Sequence, residues 1–248
     1  MEMADEKKDV TRRDFLKSSG IAAGTLVGGG LVGGIVGYNM NGQSNKDKSD
    51  KKKEGSHKGL LFFNNQNDFK ILSEATERIF PEDDLGPGAI GLGVPYFIDH
   101  QLAGNYGSNA KEYMQGPFHK GEPTQGYQTS LTRAEVFMTG IAALEKEAKK
   151  RYDKGFAEIE DKQRDKILTD VQKDKVKMKG VEASFFFDML RSATLAGAYA
   201  DPIYAGNENM DGWKMKDFPG HQMSYIQDIE KDKFQKIKPK SLSSMQHE

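Results

Sequence analysis

The chain has 248 residues, 36% of them hydrophobic, which is enough for one domain of ordinary size once any tail is set aside. Its 36 lysines and arginines face 37 acidic residues, and the net charge of −1 provides no overall field to attract DNA, RNA or an anionic surface, so nucleic acid is not an expected partner. The absence of cysteine excludes disulfides, cysteine nucleophiles, thiolate-bound zinc, cysteine-ligated iron–sulfur clusters and C-x-x-C-H haem attachment.

Composition changes sharply along the chain. Arg12 and Arg13 are followed by Asp14, Phe15, Leu16 and Lys17, and then by residues 21–38, eighteen positions without a charge, seven of them glycine. This is the layout of a twin-arginine export signal, so residues 1–40 are expected to direct the chain out of the cytoplasm. The uncharged run is long enough to span a bilayer, but its glycines lower both helix propensity and hydrophobicity. Nothing beyond it resembles A-x-A, and a lipid anchor needs a cysteine, so retention of the leader as a tether stands beside its removal. The expected location is the extracytoplasmic face of the cell membrane. Residues 41–58 carry six lysines, three acidic residues and no large apolar side chain, the composition of a solvated, charged linker.

The remaining 190 residues hold 25 basic and 29 acidic side chains, with apolar residues mostly at helical spacing. The expected fold is mainly α: a single compact helical domain with long ordered loops over residues 59–222, followed by a polar C-terminal tail at 223–248. A first helix places Phe69, Leu72, Thr76 and Ile79 on one face, beginning near the capping candidates at 64–67 and stopping at Pro81. Thr132 and Glu135 form a capping box; behind it Phe137, Ile141, Leu144 and Ala148 make a stripe, with Glu145/Lys149 and Glu147/Arg151 paired across turns. A third helix covers about 161–173 with Ile167, Leu168 and Val171 inward. A fourth runs from about 182 to 200, burying Phe186, Leu190, Ala193 and Gly197 and ending before Asp201-Pro202. The small residues Ala193 and Gly197 would admit a close neighbour.

Most of the short motifs fail on context. The G-x-G-x-x-G match at 86–91 follows a predicted helix and Pro81 instead of a strand, so a glycine-rich loop is the reading. The match at 28–33 lies inside the export signal. Asn207, Asn209 and Asp211 before Gly212 fit half of an EF-hand loop, whereas Phe218 stands where a bidentate Glu belongs. The five histidines show no metal-ligand spacing, and Asp99-His100 has no G-x-S-x-G serine to work with. Glu82-Asp83-Asp84 reads as a solvated cap. No catalytic, cofactor-binding or metal-binding residue is therefore assigned, and catalysis by this chain alone is not expected.

Residues 201–220 differ in kind, mixing turn formers with Tyr204, Trp213 and Phe218 at a density that implies an ordered loop or a partner-binding surface. The block Asp201, Pro202, Tyr204, Gly206, Asn207, Gly212, Trp213, Phe218, Pro219 and Gly220, with the leader and the F-x-x-L-x-x-x-x-x-x-I-F-P start at Phe69, resembles the gluconate 2-dehydrogenase subunit 3 family over about residues 60–220. Ala205 and Asp217 stand where that family commonly has glycine. The resemblance implies a helical, non-catalytic small subunit bound to a large FAD-containing subunit of the glucose-methanol-choline oxidoreductase type, often with a cytochrome c subunit carrying haem c as acceptor. The block residues are then candidates for the partner interface.

The leader agrees with that reading on separate grounds. The twin-arginine translocase carries folded proteins, commonly loaded with cofactor, and a chain without a recognisable cofactor site is suited to escort a partner that has one. The alternative is a self-sufficient secreted enzyme or ligand-binding helical protein whose site is built from residues outside any motif.

Overall fold

A computed structural model describes residues 59–243 except 120, 126, 127 and 234. The export signal, including Arg12, Arg13, Phe15, Leu16 and Lys17, and the charged linker lie outside the described residues.

Five helices build the body: α1 (Gln66–Ile79), α2 (Val94–Ala103), α3 (Arg133–Tyr152), α4 (Asp161–Gln172) and α5 (Ala183–Tyr199), with single turns α6 (Asp211–Lys214) and α7 (Ile226–Ile229) after them. Among the described residues there is no strand, only the isolated bridges Asp83↔Gly86 and Gly220↔Lys240. The fold is mainly α, as the apolar spacing implies.

Local signals set the ends. Asn65 caps α1 by accepting a hydrogen bond from the Asn67 N–H, and the helix ends one residue short of Phe80-Pro81 because the residue before proline disfavours helical geometry. The Thr132/Glu135 box closes both ways at the start of α3. Its predicted stripe is buried, and Glu145–Lys149 and Glu147–Arg151 form ion pairs at 2.9 and 2.8 Å.

α5 lies at the centre, packed against α1, α2, α3 and α4. Phe186 of α5 meets Phe137 of α3 edge to face at 5.8 Å, and Gly140 makes room for the ring, since a Cβ there would stand 2.3 Å from it. Each such fully buried phenylalanine contributes about 1.5–3 kcal/mol relative to exposure. At Gly197 a Cβ would stand 2.8 Å from the ring of Phe97, so the predicted small-residue stripe is where α2 approaches. Arg78 of α1 grips α4 through both oxygens of Asp165, at 2.7 and 2.8 Å, and through Asp161 at 2.8 Å.

Helix α2 is the element that sequence periodicity does not reveal. Its ten residues, VPYFIDHQLA, begin after Gly93 at φ 73° with no side-chain cap, and β-branched and aromatic residues blur the helical stripe. Its one acid has a structural role: the fully buried Asp99 carboxylate accepts the backbone N–H groups of Leu61, Phe62 and Phe63 at 2.6, 3.1 and 2.9 Å. His100 beside it meets the Gly59 carbonyl at 2.8 Å through Nε2, so the pair fastens the segment leading into α1.

Candidate partner-binding loop

The helical body stops at Tyr199. Ala200 turns extended (ψ 164°), as does Asp201 (ψ 137°), whose position immediately before Pro202 favours it, and Asp201 caps the short turn Pro202–Tyr204 by accepting the Ile203 N–H at 3.0 Å. The same carboxylate accepts the Ser241 hydroxyl at 2.8 Å and the Leu242 N–H at 2.9 Å, so it also fastens a segment forty residues further on.

From there the chain folds back over the end of α5 at backbone contact distance. A Cβ on Gly206 would stand 2.4 Å from the Gly197 carbonyl oxygen, and one on Gly212 only 1.9 Å from that of Ala198, so both positions demand glycine. Asn207 is fully buried at φ 49°; its Oδ1 accepts the Gly212 N–H and its Nδ2 donates to the Ala200 carbonyl, both at 2.8 Å. The side chain that opens the EF-hand-like spacing is thus committed to the backbone of its own loop. Asn209 and Met210 are also left-handed, at φ 57° and 60°.

Trp213 is only 5% exposed and donates its indole N–H to the Tyr199 carbonyl at 2.8 Å, capping the last turn of α5. Gly220 closes the loop at φ 69°, where a Cβ would stand 2.7 Å from the indole. Phe218 packs edge-on to the same ring at 5.5 Å yet remains 47% exposed. Ala205 and Asp217, where the resembling family commonly has glycine, both adopt left-handed backbone, at φ 70° and 49°.

The sequence-defined block therefore divides in two. Asp201, Gly206, Asn207, Gly212, Trp213 and Gly220 build the loop from within, with Pro202 and Pro219 half-buried. Tyr204 and Phe218, joined by Ile203, present apolar surface outward. Composition could not separate these roles, because the partners that bury Trp213 and Asn207 lie at the end of α5 and near residue 240.

A second loop, missed as part of this surface, lies beside the first. The glycine-rich segment 86–91 is a loop; Glu208 N–H donates to the Leu92 carbonyl at 3.0 Å, and a Cβ on Gly86 would touch the Met215 thioether at 3.1 Å. Glu77 of α1 holds this loop by accepting the Glu82 and Ile90 N–H groups at 3.1 and 2.8 Å, with Gly88 leaving space for the carboxylate. Burial of the Glu77 carboxyl raises its pKa above the ordinary glutamate value, against the two amides that favour the anion. Asp83 turns inward to its own loop, accepting the Leu85 N–H at 2.9 Å. Leu85 and Ile90 of this second loop are exposed apolar side chains.

Among the described residues no three or more His, Asp or Glu side chains gather as metal ligands, and Asn207 and Asp201 are occupied by hydrogen bonds to backbone groups and to the Ser241 hydroxyl. Large aromatic side chains on a rigid, internally hydrogen-bonded frame are the usual anchors of a protein interface. The family model for gluconate 2-dehydrogenase subunit 3 matches residues 66–220, from the first residue of α1 to the glycine that closes the loop. Nothing among curated proteins or solved structures matches the chain.

Proposed function

The chain belongs to the gluconate 2-dehydrogenase subunit 3 family, and on that premise we propose that it is the non-catalytic small subunit of an exported flavin-dependent dehydrogenase complex. In this reading it binds an FAD-containing subunit of the glucose-methanol-choline type, assists its assembly, and takes it through the twin-arginine translocase to the extracytoplasmic face of the membrane. FAD belongs to the partner and haem c, where present, to a cytochrome c subunit.

The observation that carries the proposal is the family match spanning the whole 201–220 loop, whose buried residues frame the outward-facing Tyr204 and Phe218. Hot spots of protein interfaces are enriched in tyrosine and other aromatics set in well-packed surroundings, and the frame here provides such surroundings. The leader agrees with export in company, since Arg12 and Arg13 precede an uncharged run in a chain with no cysteine to ligate a cofactor.

Co-expression with an FAD-dependent dehydrogenase subunit of the glucose-methanol-choline type that has no export signal of its own tests the proposal. Replacing Arg12 and Arg13 by lysine should leave both proteins in the cytoplasmic fraction. A dehydrogenase that still reaches the outside of the cell travels without this chain, and the escort role then fails.

A further inference from the structure

Beyond the dehydrogenase-facing loop the chain makes a separate excursion. Residues 221–240 leave and rejoin the body at one place: His221 N–H donates to the Lys240 carbonyl at 2.8 Å, Lys240 N–H donates to that of Pro219 at 3.2 Å, and Gly220 and Lys240 form a parallel bridge. Ser241 and Leu242 are then tied to Asp201. The excursion is therefore an Ω-like loop closed at its neck.

Its tip is apolar and uncovered. Met223, Ile226 and Ile229 are 79%, 77% and 76% exposed, and Ile226 and Ile229 share one face of the single turn α7 with Tyr225 beside it. The limb that returns to the neck carries Lys231, Lys233, Lys236, Lys238 and Lys240. Five lysines against Asp228, Glu230 and Asp232 leave the loop two positive charges in excess, on a body that is otherwise acidic. Lys231 pairs with Asp228 at the tip and Lys236 with Asp217 of the preceding loop, which leaves Lys233, Lys238 and Lys240 as the further positive charges of the limb.

We propose that this loop docks on an anionic lipid bilayer, with Met223, Ile226 and Ile229 entering the interfacial region and the lysines resting on acidic headgroups. Two features favour lipid over protein. Lysine is depleted at protein interfaces, whereas lysines next to exposed apolar side chains and a tyrosine at headgroup depth are what an anionic bilayer surface accommodates. The apolar patch is also the end of a narrow loop, suited to shallow insertion and too small to form the core of a standard protein interface. No described helix is long and apolar enough to cross a membrane, so this contact lies in the plane of the bilayer surface. The inference does not depend on the dehydrogenase assignment.

Because the chain contains no cysteine, Ile226→Cys in the full chain gives a unique site for an environment-sensitive fluorophore. Vesicles of phosphatidylcholine containing phosphatidylglycerol should shift its emission to the blue, and pure phosphatidylcholine vesicles should do so weakly. Raising salt from about 0.1 M to about 1 M, which shortens the Debye length from roughly 10 to 3 Å, should reduce the response. Adding Ile229→Asp should weaken vesicle affinity about tenfold or more at an unchanged melting temperature. The same probe at Lys150→Cys, on the exposed face of α3, should not respond, so binding through the leader alone is distinguished from docking of the loop. An unresponsive probe at position 226, an equal response to neutral vesicles, or a response to the purified dehydrogenase in place of vesicles would each overturn the proposal.

Discussion

Trp213 donates its indole N–H to the carbonyl of Tyr199 at 2.8 Å, so the only tryptophan of the chain terminates the central helix while holding down the loop that follows it. Helix C-termini leave carbonyls without intrahelical partners, and here a side chain fourteen residues away supplies one. The loop is in this way tied directly to the end of α5.

The first prediction separates frame from surface. Trp213→Ala should cost about 3–5 kcal/mol of stability, because it removes a buried ring and leaves the Tyr199 carbonyl without its donor. Tyr204→Ala and Phe218→Ala should melt close to the parent, yet each should weaken dehydrogenase binding by about 2 kcal/mol or more. Thermal denaturation and affinity measured on the same three variants check both halves. Unchanged affinity in both surface variants would remove the docking role from this face.

A second prediction concerns Ala205 and Asp217, at φ 70° and 49°. Left-handed backbone costs a residue with a Cβ roughly 1–2 kcal/mol, while glycine loses about 0.4–1 kcal/mol through greater freedom in the unfolded chain. Ala205→Gly should therefore stabilise the protein by about 0.5–1 kcal/mol. Asp217→Gly should do likewise, less a small loss from the exposed Lys236 pair. Urea denaturation midpoints are the measurement, and a lower midpoint for Ala205→Gly would contradict the argument.

The third follows from Glu77. Its folded-state pKa is raised, chiefly by burial, so the folded chain holds this proton to higher pH than the unfolded chain does. The stabilisation linked to that proton is full below the unfolded value of about 4.5 and is lost as pH rises through the folded pKa. The stability of the parent relative to Glu77→Gln should accordingly fall as pH rises through this window and then level off. A difference that grows with pH would mean that the amides of Glu82 and Ile90, with neighbouring Arg78, outweigh the desolvation.

The fourth tests Asp99. Asp99→Ala leaves three backbone donors at 61–63 without their acceptor and should destabilise by about 3–5 kcal/mol. Amide exchange at Leu61, Phe62 and Phe63 should accelerate more than exchange in α4, which lies elsewhere in the body. Uniform acceleration would show that Asp99 supports the core generally and not this segment in particular.

Four of the five long helices were legible because their information is local. The Thr132/Glu135 box, the 137–141–144–148 stripe and the Asp201-Pro202 stop each act within a few residues. Helix α2 was not legible, since it begins at a left-handed glycine and its apolar residues do not keep to one face. The loop between 201 and 220 was recognisable as ordered, but the inward and outward members of its motif were not. Asn207 is turned in by backbone groups at 200 and 212, and Asp201 by residues 241 and 242. An aspartate set among apolar residues was the one sequence clue to the role of Asp99, and its three donors lie 36 to 38 positions earlier.

The clamp at Asp99 also has a mechanical meaning. Tension arriving from residues 1–58 meets the body at Leu61–Phe63, where three hydrogen bonds converge on a single carboxylate. That load passes into the middle of α2 and from there into α5, which packs on it, before it can reach the first turn of α1. A pull on the preceding segment is thus borne by three bonds that must yield nearly together instead of one after another.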